Sequence, residues 1–84
     1  KRPSEAVQLV AVQRDGRLIR DIQTPSPAVQ MAAVKQDGCS IYYIDRPSPE
    51  LQLAAVKLNP WVINYIDKPS AEAVKLAQAL GIRR

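Results

Sequence analysis

Residues 47–68 read "PSPELQLAAVKLNPWVINYIDK", and the prolines in it decide how the stretch folds. Ser48 suits a helix N-cap, where its hydroxyl accepts a bond from an otherwise unpaired backbone N–H. Pro49 then falls at the first helical position, where a missing N–H costs nothing. Glu50 sits in the first turn, favourable for the helix dipole. Asn59-Pro60 writes the same start a second time, cap and then proline. The stretch therefore predicts a helix over about 49–58, a break, and a shorter helix over about 60–67. The β-branched run "WVINYI" also fits a strand. Pro60 and the short spacing favour helix.

Reading outward, the same text recurs without gaps. Residues 3–24 are "PSEAVQLVAVQRDGRLIRDIQT" and residues 25–46 are "PSPAVQMAAVKQDGCSIYYIDR". A partial fourth copy, 69–84, is "PSAEAVKLAQALGIRR". Pro3, Pro25, Pro47 and Pro69 stand 22 residues apart, each followed by Ser. Such self-similarity is the mark of repeat architectures. The register predicts first helices at about 5–14, 27–36, 49–58 and 71–80, and second helices at about 17–23, 39–45 and 60–67. Asp15-Gly16 and Asp37-Gly38 stand where the third copy has Asn59-Pro60. Isoleucines recur three apart, at Ile19 and Ile22, Ile41 and Ile44, and Ile63 and Ile66, which places each pair on one helical face.

The first helix of each copy is apolar on two sides. Val7, Val29 and Leu51 share one with Ala11, Ala33 and Ala55. Leu9, Met31 and Leu53 lie opposite with Val12, Val34 and Val56. A helix apolar nearly all round is buried, as when each repeat is covered by neighbours on both sides. The pattern predicts an all-α fold, a right-handed α-solenoid of 22-residue helix–turn–helix repeats. Gln8, Gln30 and Gln52 form an equivalent row, read as a structural row in preference to a binding row. The fourth copy lacks a second helix; Lys75 and Gln78 make it more polar, and Gly81 suits a C-cap, so it reads as a capping helix. The first copy has no evident cap. That predicts either a fragment of a longer array or cover from another chain or segment, and a first residue other than Met fits a processed or internal start.

The breaks weigh against two rival readings. Twenty-two is two elevens, the period of a right-handed coiled coil. Proline-punctuated 22-mers also resemble the lipid-binding helices of exchangeable apolipoproteins. Both need a helix that runs through the unit, and Asp-Gly or Asn-Pro interrupts it.

The segments "LAAVKLNPWVINYI", "MAAVKQDGCSIYYI" and "LVAVQRDGRLIRDI" resemble the tandem helical repeats catalogued as domain of unknown function 4116, which have an A-V-K-Q-N/D-G core. The resemblance covers about residues 5–66, and Val29 to Tyr43 match its pattern V-x-x-A-V-x-x-x-G-x-x-I-x-Y best. Departures are Pro60 for the glycine, Asp21 for the aromatic, and a shorter link between units. The resemblance implies a tandem α-helical array; it carries no established activity and no functional residues.

Composition narrows the chemistry. The chain has 84 residues and a formal charge of +4, and reads as one small domain. Lys1, Arg2, Arg83 and Arg84 account for the excess, leaving eight basic residues against eight acidic. With no His, histidine catalysis and ordinary zinc ligation are excluded. Cys39 is the only cysteine, so an internal disulfide is excluded and a reducing, cytoplasmic setting is expected. No apolar run approaches the ~18–20 residues needed to cross a bilayer. The carboxylates fall mostly at helix ends, where capping explains them. Neither catalytic residues nor a cofactor or metal site is expected, and the chain does not read as an enzyme.

The second helices carry the variable positions. With the isoleucines inward, Arg17, Cys39 and Trp61 point away from them, as do Arg20, Tyr42 and Asn64, with Asp21, Tyr43 and Tyr65 alongside. Solenoids keep their scaffold and vary their binding face. Arg17, Arg20, Tyr42, Tyr43, Trp61 and Tyr65 are therefore the candidate interaction surface, for a protein partner or for self-association, since Trp and Tyr anchor such contacts. The alternative is nucleic acid held by Arg14, Arg17 and Arg20 with aromatics. Against it, the basic row does not continue: its equivalents are Gln36, Cys39 and Tyr42, then Leu58, Trp61 and Asn64.

Overall fold

Each α-helix starts where its Ser-cap text places it. The computed structural model describes residues 4–82. Four α-helices, α1 (Glu5–Arg14), α2 (Pro27–Gln36), α3 (Pro49–Leu58) and α4 (Ala71–Ala79), alternate with three 3-10 helices, η1 (Gly16–Asp21), η2 (Gly38–Tyr43) and η3 (Pro60–Tyr65). The described residues are helices and links, with no strand. None of these helices is long and apolar enough to cross a membrane.

The caps repeat. Ser4, Ser26, Ser48 and Ser70 each accept a bond at the side-chain oxygen from the backbone N–H three residues on, at 3.2–3.3 Å. Ser26 also donates to the Glu5 carboxylate, tying the start of α2 to the start of α1. Ser26→Ala is therefore expected to cost about 1 kcal/mol, read as a melting temperature roughly 4–8 °C lower. At the far end Gly81 adopts a left-handed φ of 95°. Ile82 N–H donates to Ala77 O and Gly81 N–H to Gln78 O, the Schellman closure, and Ile82 packs back on the core.

The second helices differ from the expected form. They are 3-10 rather than α, and end at 21, 43 and 65 rather than at 23, 45 and 67. Ile22, Ile44 and Ile66 are C-caps in extended backbone. A 3-10 helix has three residues per turn, so positions three apart eclipse. The isoleucine pairs thus still share a side, with Ile19, Ile41, Ile44, Ile63 and Ile66 buried and Ile22 half-buried. Asp15, Asp37 and Asn59 cap these turns by accepting from the N–H two residues on, the Asx-turn geometry.

After each 3-10 helix the chain reverses tightly. Thr24, Arg46 and Lys68 have left-handed φ of 46°, 52° and 55°. None is glycine, and each precedes a Pro-Ser start. Held in αL, these residues carry strain of order 1 kcal/mol each, stabilised by the packing on either side.

Each α-helix packs on the next, α1 on α2, α2 on α3 and α3 on α4, and each 3-10 helix packs on the α-helices before and after it. Among the described elements α1 does not reach α3, nor α2 α4. The body is elongated, 42 × 21 × 15 Å. The core runs along it as Val12, Val29, Val34, Leu51, Val56 and Ile63 with Ala33, Ala55, Ala73 and Ala77. The glutamine row stitches it. Gln30 Nε2 donates to Pro25 O at 3.2 Å and Gln52 Nε2 to Pro47 O at 3.0 Å. Gln52 Oε1 accepts from Ser70 N–H at 2.7 Å. The expectation of burial fails in the first unit, where Val7 is exposed and Ala11 only half-buried, because among the described residues no helix lies on that side of α1.

Candidate functional site: a tyrosine-lined cleft

Tyr42, Tyr43 and Tyr65 of η2 and η3 lie at the surface. Ile41 and Ile63 point inward, and Ser40 and Val62, three residues before Tyr43 and Tyr65 and so on the same sides of the turns, are buried as well. Because η2 and η3 pack side by side, tyrosines of two units meet. The Tyr42 and Tyr65 rings lie 6.2 Å apart at 89°. The Tyr42 and Tyr43 rings lie 5.4 Å apart at 79°. Both contacts are edge-to-face, the arrangement ring quadrupoles favour.

Two cavities open on either side of this ring cluster and share Ile41, Tyr42, Tyr43 and Tyr65. The larger, about 800 Å³, runs over the links between units and is bordered by Asp45, Arg46, Asp67 and Lys68. The smaller, about 400 Å³, is bordered by Arg17, Cys39 and Val62. The two hollows share the tyrosines but are distinct; the smaller is lined mainly by apolar and aromatic side chains, the larger by the tyrosines and the charged link residues.

One rim charge, Arg17, has a local partner. Arg17 Nε lies 3.3 Å from Asp15 Oδ1. Hydrogen bonds from the Arg17 side chain and backbone hold the Asp15 carboxyl below the usual carboxylate range, and the same contact raises the Arg17 guanidinium. Cys39 is exposed, and its sulfur accepts from Asn59 Nδ2 at 3.2 Å. Among the described residues no group of three or more His, Cys, Asp or Glu is placed to hold a metal ion.

The expected surface residues separate into parts. Tyr42, Tyr43, Tyr65 and Arg17 line the cleft. Trp61 is exposed but borders neither cavity, and neither does the exposed Arg20. Arg14 borders a different hollow, with Val7, Val10 and Leu18. The three arginines thus do not share one cavity. Sequence reasoning missed the link residues Asp45, Arg46, Asp67 and Lys68 as lining. Their signal was available, since Asp, a basic residue and Pro-Ser recur in the same register at 45–48 and 67–70.

Comparison with protein-family models, with curated proteins and with solved structures finds no match.

Proposed function

We propose that the chain is a structural or protein-interaction repeat module, a right-handed α-solenoid whose tyrosine cleft takes a segment of a partner protein. The observation that carries this reading is the shared exposure of Tyr42, Tyr43 and Tyr65 across two units, where they border two cavities. Tyrosine offers a large, rigid, amphipathic contact at low entropic cost, and hot spots concentrate in such side chains. The repeating caps, glutamine bonds and packing order support the array reading, as does the resemblance to the tandem repeats of domain of unknown function 4116. Such repeats act as scaffolds whose variable positions select partners. A nucleic-acid reading has less support, because Arg14 and Arg17 border different cavities instead of tracking one groove.

The test is a selection of binding peptides from a random display library against the whole chain. Peptides seated in the cleft are expected to lose at least tenfold in affinity to Tyr42→Ala with Tyr65→Ala, equivalent to about 1.4 kcal/mol or more. The helical circular dichroism should be retained, because both side chains are exposed. Selected binders that are indifferent to this pair, and to Tyr43→Ala, would place the interface elsewhere.

A further inference from the structure

The tyrosine cluster is built of corners. In the pairs Tyr42–Tyr43 and Tyr42–Tyr65 one ring stands on the other, at 79° and 89°. A ring standing on another leaves a right-angled corner on each side of it, and a guest in that corner meets two ring faces at once. The face is the negative side of the aromatic quadrupole, so such a corner favours a cation. All three rings border the larger hollow, together with Asp45 and Asp67. Both aspartates are exposed, and among the described residues neither carboxylate has a hydrogen bond or an ion pair. Arg46 and Lys68 border the same hollow, yet neither is paired with Asp45 or Asp67.

We propose that the larger hollow is an arginine pocket. It takes an arginine side chain of the partner segment, with the guanidinium against the tyrosine faces and its N–H fork on Asp45 or Asp67. This names the chemistry of the partner and rests on the protein-interaction reading. Arginine is selected because one group uses both features of the hollow. A guanidinium is planar and weakly hydrated, so it stacks on a ring while its edge forks to a carboxylate. An ammonium is compact and strongly hydrated, and an apolar side chain would leave the carboxylates unused. Arg46 and Lys68 balance Asp45 and Asp67 in formal charge, but both are exposed on long stems that can turn to solvent. Gln52, also in the wall, is committed elsewhere: its Oε1 accepts from Ser70 N–H and its Nε2 donates to Pro47 O. The smaller hollow does not suit the same guest, because Arg17 borders it and repels a second cation. Nor does the first unit repeat the pocket, since Arg20 and Asp21 stand there for Tyr42 and Tyr43, and Gln23 for Asp45.

Two peptide display libraries, one with a fixed central arginine and one with a fixed central leucine, are selected against the whole chain. The arginine library is expected to yield binders that lose about tenfold or more in affinity to Tyr42→Ala with Tyr65→Ala, and likewise to Asp45→Asn with Asp67→Asn. All four side chains are exposed, so the helical dichroism should be retained. Replacing the central arginine by citrulline, which keeps the shape and removes the charge, should cost about tenfold or more as well, and this readout leaves the chain untouched. Tyrosine-dependent binders from the leucine library alone, or arginine binders indifferent to the aspartate pair or to citrulline, overturn the arginine pocket and leave the protein-interaction reading standing. No tyrosine-dependent binder from either library overturns both.

Discussion

Ile63→Ala is expected to remove about 2–5 kcal/mol of unfolding free energy, the largest loss foreseen for a single side chain here. Ile63 is 0% exposed. It sits in η3, which packs on α3, η2 and α4, so its side chain lies where several elements converge. The cost has two parts. Deleting the branched chain forfeits the transfer free energy of its carbons, and the remaining space is only partly refilled. A small domain has about 5–15 kcal/mol in total, so this variant should approach the limit of folding. A urea titration measures it: the midpoint should fall with the slope little changed, since the native surface is the same. A loss under about 1 kcal/mol would mean that the site collapses around the smaller residue, at odds with close packing.

Gly16→Ala is the second large effect, and it acts by addition. A methyl carbon at Gly16 would stand 2.5 Å from the Ala33 carbonyl oxygen and 2.5 Å from Ser40 Oγ, and 3.0 Å from Gln36 Oε1. The backbone carbonyl cannot swing aside as a long side chain can. The Gly16 N–H also donates to Gln36 Oε1 at 2.7 Å, so any shift that relieves the clash strains that bond. Overpacking of this kind costs roughly 1–3 kcal/mol. Gly38→Ala should cost less, because its methyl would meet the Ala55 carbonyl at 3.1 Å and otherwise only side-chain carbons at 3.4 Å and beyond. The decisive measurement is the order of the two melting temperatures. Equal losses would show that conformation, rather than space, accounts for the glycines.

That distinction bears on the third unit, where Pro60 replaces glycine. Among the described residues only Gly81 is a glycine of positive φ, so Gly16 and Gly38 are not required for an unusual backbone. They are small because the α-helix of the next unit crosses close above them. The clearance grows from the first unit to the second, and by the third the equivalent position is only half-buried. A proline ring fits there, and its fixed φ suits the start of a helix.

The α-helices were the legible part of the fold. Their Ser caps, prolines and acidic first turns are local signals, and α4 alone ends one residue short of expectation, at Ala79, where Leu80 becomes the C-cap. The second helices were legible as helices but not as 3-10. Over six residues an isoleucine pair three apart satisfies both geometries, and nothing in "GRLIRD" or "PWVINY" separates them. Thr24, Arg46 and Lys68 are not αL formers by type, so the reversal they make is imposed by tertiary packing. At the surface, the exposure of Tyr42, Tyr43, Tyr65 and Trp61 was expected. That Tyr42 meets Tyr65 while Trp61 stands outside the cleft was not, because it depends on the sideways offset between units, which a repeat length does not encode. The exposure of Val7 was hidden for the same reason, since apolar text reads as core unless the neighbour is known to be missing.

Four side-chain bonds that tie one unit to the next span nearly the same length of chain. Glu5 to Ser26 spans 21 residues, Gly16 to Gln36 and Cys39 to Asn59 span 20, and Gln52 to Ser70 spans 18. Loop-closure entropy depends on the length closed, so each unit that docks meets the same modest penalty, however much chain has already folded. The search for the native state is thereby divided into equal short steps. Folding should be fast for a chain of this size, with a rate set by closing one such loop and not by bringing distant ends together.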